Sequence, residues 1–233
     1  MALGTTLTNV LDVTTSAGLQ NLQHTTAGLA AVQAAVDSSG TLTVCLMGYH
    51  HDYGNNAPTQ DGDHTQIKVW YTELGGGYRP YVSIIQGAGD TNVYAEDSGT
   101  DDDSYAGNYT FDGGVSYATI RGDSTTTGTQ FRSSGAYANF GVFTIKFTGR
   151  GSDIVTQNVR SYFVYDLSGI AGTVDAARFS FYIDNVGHTN DDFGKVVLVQ
   201  ATTLAGDASD FGNCFVADAV VAADNATFFG ANF

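Results

Sequence analysis

The chain is short of cationic residues, of cysteine and of long apolar runs, and each shortage removes a class of function. Nine Lys and Arg face 24 Asp and Glu in 233 residues, a formal charge of −15. Nucleic-acid phosphates call for a basic footprint, so no nucleic-acid partner is expected. The two cysteines, Cys45 and Cys214, each sit inside an apolar run (LTVCLM and NCFVADAVV). That context predicts buried reduced thiols rather than a disulfide, a metal site or a nucleophile. No run approaches the roughly 18 apolar residues of a membrane span, so none is expected. The opening MALGTTLTNVLDV has neither a positive segment nor a continuous apolar stretch, and does not read as a secretory signal. An acidic surface rich in Thr, Ser, Gly and Asp, without such a signal, suits a protein released by lysis, such as a virion component; a mature chain stripped of its signal would look the same.

What the sequence does contain is β pattern. Arg160 to Ile183 carries the strongest signal. Tyr162 to Tyr165 are aromatic or β-branched, and beyond a corner at Ser168–Gly172, Ala177, Phe179, Phe181 and Ile183 alternate with Arg178, Ser180 and Tyr182. This predicts a hairpin with one apolar and one mostly wet face. Further strands are expected at Thr41–Met47, Ile67–Thr72, Tyr81–Ile85, Val115–Ile120, Tyr137–Phe147, Val159–Tyr165, Lys195–Gln200 and Cys214–Val221, with an edge strand within residues 3–14. One helix is expected over about residues 26–37, with a Thr N-cap, Leu29, Val32, Ala35 and Val36 on one face and Ser38-Ser39-Gly40 at its end. Short strands with a turn signal every ten or so residues predict an all-β sandwich or barrel. Residues 87–92 (GAGDTN) read as a linker between residues 1–86 and 93–233.

The run R-S-Y-F-V-Y-D-L-S-G-I, followed by V-D-A-A-R-F-S-F-Y, resembles the conserved hairpin of DNRLRE-type or carbohydrate-binding-module-like jelly-roll domains, found in bacterial surface proteins and in phage and environmental sequences. Arg160, Tyr162, Tyr165, Asp166, Ser168, Ile170, Val174, Ala177, Phe179 and Phe181 fill its pattern. Elements that resemble the end of such a domain also occur: the helix after Thr26, Leu42–Met47, Asp52-Tyr53 with Pro58, Val69–Tyr71 and Pro80–Ile84. They stand before those that resemble its beginning. The resemblance therefore implies a jelly-roll sandwich in permuted order, with residues 1–86 as the closing half and 93–233 as the opening half. Strand exchange between subunits and two separate small β domains are the alternatives. A domain of about 85 residues with so few strands would struggle to bury a core, which favours one shared sandwich.

Residues able to carry chemistry concentrate in polar loops. His50, His51, Asp52, Asp61, Asp63 and His64 crowd one loop, but no HExxH or i, i+4 spacing supports a transition metal. Ca²⁺ suits the acidic groups better: Asp61 and Asp63; Glu96, Asp97, Asp101, Asp102 and Asp103; or Asp184, Asn185, Asn190, Asp191 and Asp192. None matches an EF-hand loop, and acidic runs are commonly just solvated. A glycosidase needs two carboxylates about 5–10 Å apart, and the carboxylates here lie in polar loops rather than beside strand aromatics. With no GxSxG and no phosphate loop either, no enzyme activity is expected. Arg121-Gly122-Asp123 spells an adhesion tripeptide that chance also supplies. Asn108 and Asn225 begin glycosylation sequons. Trp70, Tyr71, Tyr78 and Tyr81, beside a Gly-rich turn, are candidates for a sugar-stacking or subunit contact. The expected function is a non-enzymatic virion structural or surface protein, such as a capsid decoration, fibre or appendage subunit, self-associating or joined to other virion proteins. A carbohydrate-binding or adhesive module, or an extracellular filament subunit, is the alternative. The expected location is the virion surface or the extracellular space.

Overall fold

The computed structural model describes residues 2–3, 6–12, 18–59, 64–70, 78–87, 89–96, 104–110, 116–121, 130–133, 139–148, 154–188, 194–202 and 214–216. Within them the strands are β1 (Ala2–Leu3), β2 (Leu11–Asp12), β3 (Gly18–Gln23), β4 (Thr41–Gly48), β5 (His64–Trp70), β6 (Tyr81–Gln86) and β7 (Gly89–Tyr94). They continue with β8 (Ser104–Thr110), β9 (Gln130–Ser133), β10 (Asn139–Thr148), β11 (Ile154–Asp166), β12 (Ala176–His188), β13 (Lys195–Gln200) and β14 (Phe215–Val216). Two short helices, α1 (Thr26–Asp37) and α2 (Tyr117–Arg121), and a π-helical turn, Tyr49–Tyr53, complete the elements.

The protein is an all-β sandwich. One antiparallel sheet follows the order β2-β13-β4-β11-β10-β5-β12-β6-β7, with β3 added to β12 and β8-β9 added to β11. Strands on either side of residues 87–92 share this sheet: β4 pairs with β11, and β5 and β6 both pair with β12. The stretch read as a linker is instead a hairpin. Gly87, at φ +60°, lies in the turn, and β7 pairs with β6 from Gln86–Gly89 to Tyr81–Tyr94. Left-handed backbone there favours glycine.

The sheet folds over so that β11 faces β12 across the core. Phe163 and Phe181 rings lie 5.1 Å apart, and Tyr165 and Phe179 6.1 Å apart. This corrects the expected hairpin, because β11 bonds to β10, β4 and β8, and β12 to β5, β6 and β3. Alternation sorts side chains by face but does not say whether the next strand in sequence is the hydrogen-bonding partner or the one opposite. The corner between them is tied locally. Asp166 Oδ1 accepts from the Ser168 N–H at 2.9 Å, and Ile170 N–H donates to Leu167 O at 3.0 Å. Helix α1 fastens it from outside: Gln33 accepts from the Val174 N–H at 2.7 Å and donates to Gly172 O at 3.2 Å.

Helix α1 begins as its sequence dictates. Thr25 is extended, and its Oγ1 accepts from the Gly28 N–H at 2.9 Å while donating to Thr6 O at 2.7 Å. Gly28, Val32, Ala35 and Val36 are its buried face. Residues 116–121 depart from expectation: Val115 lies outside the described residues, and Tyr117–Arg121 is helical, not a strand. Ser116 caps it, its carbonyl accepting from Thr119 and Ile120 N–H groups. A short apolar run cannot by itself distinguish helix from strand. Of the strand expected at Cys214–Val221, Phe215–Val216 is described, paired with β1.

Burial differs between the two layers and positions everything that follows. In β4, seven of eight residues are buried. Leu42, Val44 and Leu46 join Val159, Phe163, Val196 and Leu198 in the core between the layers. Cys45 and Met47 join Tyr162, Val164, Val197 and Val199 in a second cluster on the opposite face. The β4-β11-β13 layer is therefore covered on both sides, whereas on the outer face of β3-β12-β6-β7 the described side chains are exposed along β3 and β7 and half-buried or buried along β12 and β6.

Candidate functional site

Two sets of side chains stand out, one sealed and one open. The sealed set lies on the outer side of β11, where Asn158, Arg160, Tyr162 and Val164 alternate with core-facing Val159, Phe163 and Tyr165. A lone arginine in such a strand must find a counter-charge or the burial is prohibitive. Asp52, carried in by the π-helical turn that follows β4, supplies it. Arg160 Nη2 and Nε reach Asp52 Oδ1 and Oδ2 at 2.6 and 2.7 Å, and both residues are fully buried. Arg121, at the end of α2, closes the group from the other side. Its Nε donates to Asp52 O and lies 3.6 Å from Asp52 Oδ1, and Arg160 Nη2 donates to Arg121 O at 2.6 Å. Burial opposes the charge on Arg160, but the Asp52 carboxylate outweighs it and raises the Arg160 pKa. The Tyr117 phenol is pushed well up, first by burial and then by Asp52. Burial likewise raises the Cys45 thiol and the Tyr162 phenol.

This cluster locks three elements together. Asp52 and Arg160 are both out of solvent and bonded to each other. Asp52 belongs to a stretch whose sequence is that of a polar loop, yet His51, Asp52 and Tyr53 are buried. The legible signal was Arg160, a cation in an aromatic strand; its partner, 108 residues away, was not. Arg121 of the adhesion-like tripeptide is likewise buried and bound inward, while Gly122 and Asp123 lie outside the described residues. Cys45 and Cys214 are buried and not joined by a disulfide.

The open set covers the outer face of β3-β12-β6-β7. Cross-strand register puts Leu19 beside Tyr182, then Asn21 beside Ser180, Tyr81 and Tyr94, then Gln23 beside Arg178, Ser83 and Asn92. Tyr78 packs edge-on against Tyr182 with centroids 4.6 Å apart, and Tyr81 lies tilted against Tyr94 at 5.5 Å. Arg79 lies over the Tyr94 ring, 5.6 Å from its centroid, and donates to Ala95 O at 2.8 Å. Among the described residues the exposed large hydrophobic side chains are Leu19 (47%), Tyr78 (43%) and Tyr94 (45%), and register and ring contacts place all three on this one face. Beneath the tyrosines two buried serines orient two exposed asparagines: Ser180 Oγ donates to Asn21 Oδ1 at 2.8 Å, and Ser83 Oγ to Asn92 Oδ1 at 2.6 Å.

Of the aromatics singled out from sequence, Tyr78 and Tyr81 are thus brought to one face. Tyr71 and the Trp70 side chain lie outside the described residues. Tyr182 and Tyr94 were missed as contact residues; Tyr182 fell on the wet side of an alternating strand, but only register joins it to Tyr78. Of the calcium candidates, Asp61, Asp63, Asp97, Asp101, Asp102, Asp103, Asn190, Asp191 and Asp192 lie outside the described residues, and Asp184 is half-buried at the β12 irregularity between Ile183 and Asn185. Among the described residues no three His, Cys, Asp or Glu gather closely enough to hold a metal ion, and no helix is long and apolar enough to cross a membrane. No family model, no curated protein and no solved structure matches the chain.

Proposed function

We propose that this chain is a non-enzymatic structural or surface subunit of a virus or phage particle, a decoration, fibre or appendage protein that works through assembly contacts. The observation that supports this reading is the edge strand β7. It ends the path of the sheet, pairs among the described residues with β6 alone, and is exposed at five of six positions. An open edge is a template for adding a strand from another copy, unless blunted by proline, lysine or a bulge. The resemblance of Arg160–Phe181 to a DNRLRE-type jelly-roll hairpin, and a jelly-roll winding of the sandwich, belong to the same proposal.

Light scattering over a range of concentrations, with negative-stain images, tests it. The native chain is expected to form symmetric oligomers or filaments. Asp90→Pro, which places a residue with no N–H on β7, is expected to yield monomers that melt at nearly the native temperature. A native chain that stays monomeric throughout, or an assembly indifferent to Asp90→Pro, contradicts the proposal. Calcium in the acidic loops is a separate proposal: excess chelator lowers the melting temperature if an ion is structural, and an unchanged melt removes it.

A further inference from the structure

We propose that Cys45 and Cys214 are a latent disulfide: on leaving a reducing medium the two buried thiols join into one bond that staples β14 to the centre of the main sheet. This goes beyond the assembly reading and rests on different groups, the sealed side of β4 and β11 rather than the β7 edge.

Topology brings the two sulfurs together. β4 is an inner strand, bonded to both β11 and β13, and Cys45 stands opposite Tyr162 and Val199. Alternation along β4 sends Val44 and Leu46 into the core between the layers and turns Cys45 and Met47 to the other face. Cys214 arrives on that same face just ahead of β14, which pairs with β1 in a two-stranded sheet of its own. Both cysteines are fully buried. The two thiols hydrogen-bond each other, and the Tyr162 hydroxyl hydrogen-bonds each of them. Sulfurs already in contact need a side-chain adjustment, not a strand movement, to reach the geometry of a disulfide. A metal suits the pair less well, because among the described residues no three His, Cys, Asp or Glu gather closely enough to hold one.

The surroundings set the order of events. Burial raises the Cys45 thiol, and its contact with Cys214 adds to the effect. Burial opposes the Cys214 thiolate too, but the Cys45 hydrogen bond and the Arg160 guanidinium outweigh it and hold the Cys214 pKa below the usual thiol value. Cys214 is thus the attacking sulfur. The ladder beside it is short, with Ala2 opposite Val216 and Leu3 opposite Phe215. A two-stranded pairing of that size opens readily, which gives a reagent its route. The oxidant is a small disulfide such as oxidised glutathione. The Cys214 thiolate attacks one of its sulfurs and expels a glutathione thiolate; Cys45, losing its proton, then attacks the Cys214 sulfur of the mixed disulfide and expels the second. Two electrons pass to the oxidant, two glutathione thiols carry off the two cysteine protons, and one S–S bond remains in the protein. It closes a loop of roughly 170 residues, long enough to remove much freedom from the unfolded chain.

The experiment uses the full chain, purified under reductant and equilibrated with mixtures of reduced and oxidised glutathione, then alkylated in denaturant and weighed. The oxidised chain is expected to be about 2 Da lighter than the reduced one and to take up no alkylating reagent. Peptide mapping is expected to find Cys45 joined to Cys214. The melting midpoint is expected to rise by roughly 5–15 °C on oxidation and to fall back with dithiothreitol. Cys214→Ser is expected to show no such rise, and it is the background in which an introduced cross-link is read without interference from this pair. Two thiols that still alkylate after long exposure to excess oxidised glutathione overturn the proposal. So do separate glutathione adducts on the two cysteines, disulfide-linked dimers, or an oxidised chain that melts no higher than the reduced one; the mass and the map decide this on the native chain, however Cys214→Ser folds. A chain that stays monomeric in light scattering sinks the assembly reading and leaves this pairing standing, so the two proposals fail separately.

Discussion

Asp52 decides more than any other single residue, because the charge of Arg160 is buried on the strength of its carboxylate. Truncating one member of a buried pair leaves the other unsatisfied, so Asp52→Ala should cost about 3–5 kcal/mol in urea unfolding. Replacing both partners with apolar residues of similar size, as in Asp52→Leu with Arg160→Met, should recover most of that loss. Recovery no better than the sum of the single losses would show that the pair is not coupled. Asp166 offers a gentler test. The hydroxyl and then the backbone N–H of Ser168 hold its carboxyl below the usual carboxylate range. A depressed folded-state pKa contributes stability that is present above the unfolded pKa and is lost as pH falls through the folded value. Carboxyl NMR titration should therefore find Asp166 among the more acidic aspartates, and Ser168→Ala should move it upward while leaving the N–H contribution. No upward movement would remove the hydroxyl as a cause.

At the scale of elements, α1 is docked by its first turn, where backbone meets backbone. A Cβ on Gly28 would stand 1.9 Å from Leu7 O. That oxygen already accepts from the Thr25 N–H at 2.9 Å, so it has little room to retreat. Gly28→Ala should thus destabilise the protein by about 1–3 kcal/mol, as overpacking does, despite the better helix propensity of alanine; a neutral or stabilised melt would contradict this docking. Helix α1 was legible because its signals are local: a threonine cap, a one-sided apolar stripe and a Ser-Ser-Gly stop. The Asp166–Ser168 corner was legible for the same reason. The hairpin misreading of β11 and β12, and the strand read at residues 115–120, mark where local pattern stops being informative. Phe163 and Phe181 are apolar and inward-facing whether their strands are bonded side by side or stacked across a core. The candidate face shows the same limit, since Tyr78 and Tyr81 lie close in sequence, whereas Tyr182 and Tyr94 join them through cross-strand register and ring contact.

For the molecule as a whole, the account depends on residues 41–86 lying among later strands of their own chain, which gives one sheet a buried lock on one layer and an open face on the other. The register of β6 on β12 sets Ile85 opposite Ala176, both half-buried. Antiparallel neighbours sit about 4.5–5.5 Å apart at Cα, within the span of a disulfide. The most direct measurement is oxidation of Ile85→Cys/Ala176→Cys, followed by non-reducing electrophoresis in denaturant. A cross-linked monomer with accelerated mobility is the predicted result. A ladder of covalent dimers and higher species would place the pairing between chains, and thiols that stay unlinked would contradict the shared sheet.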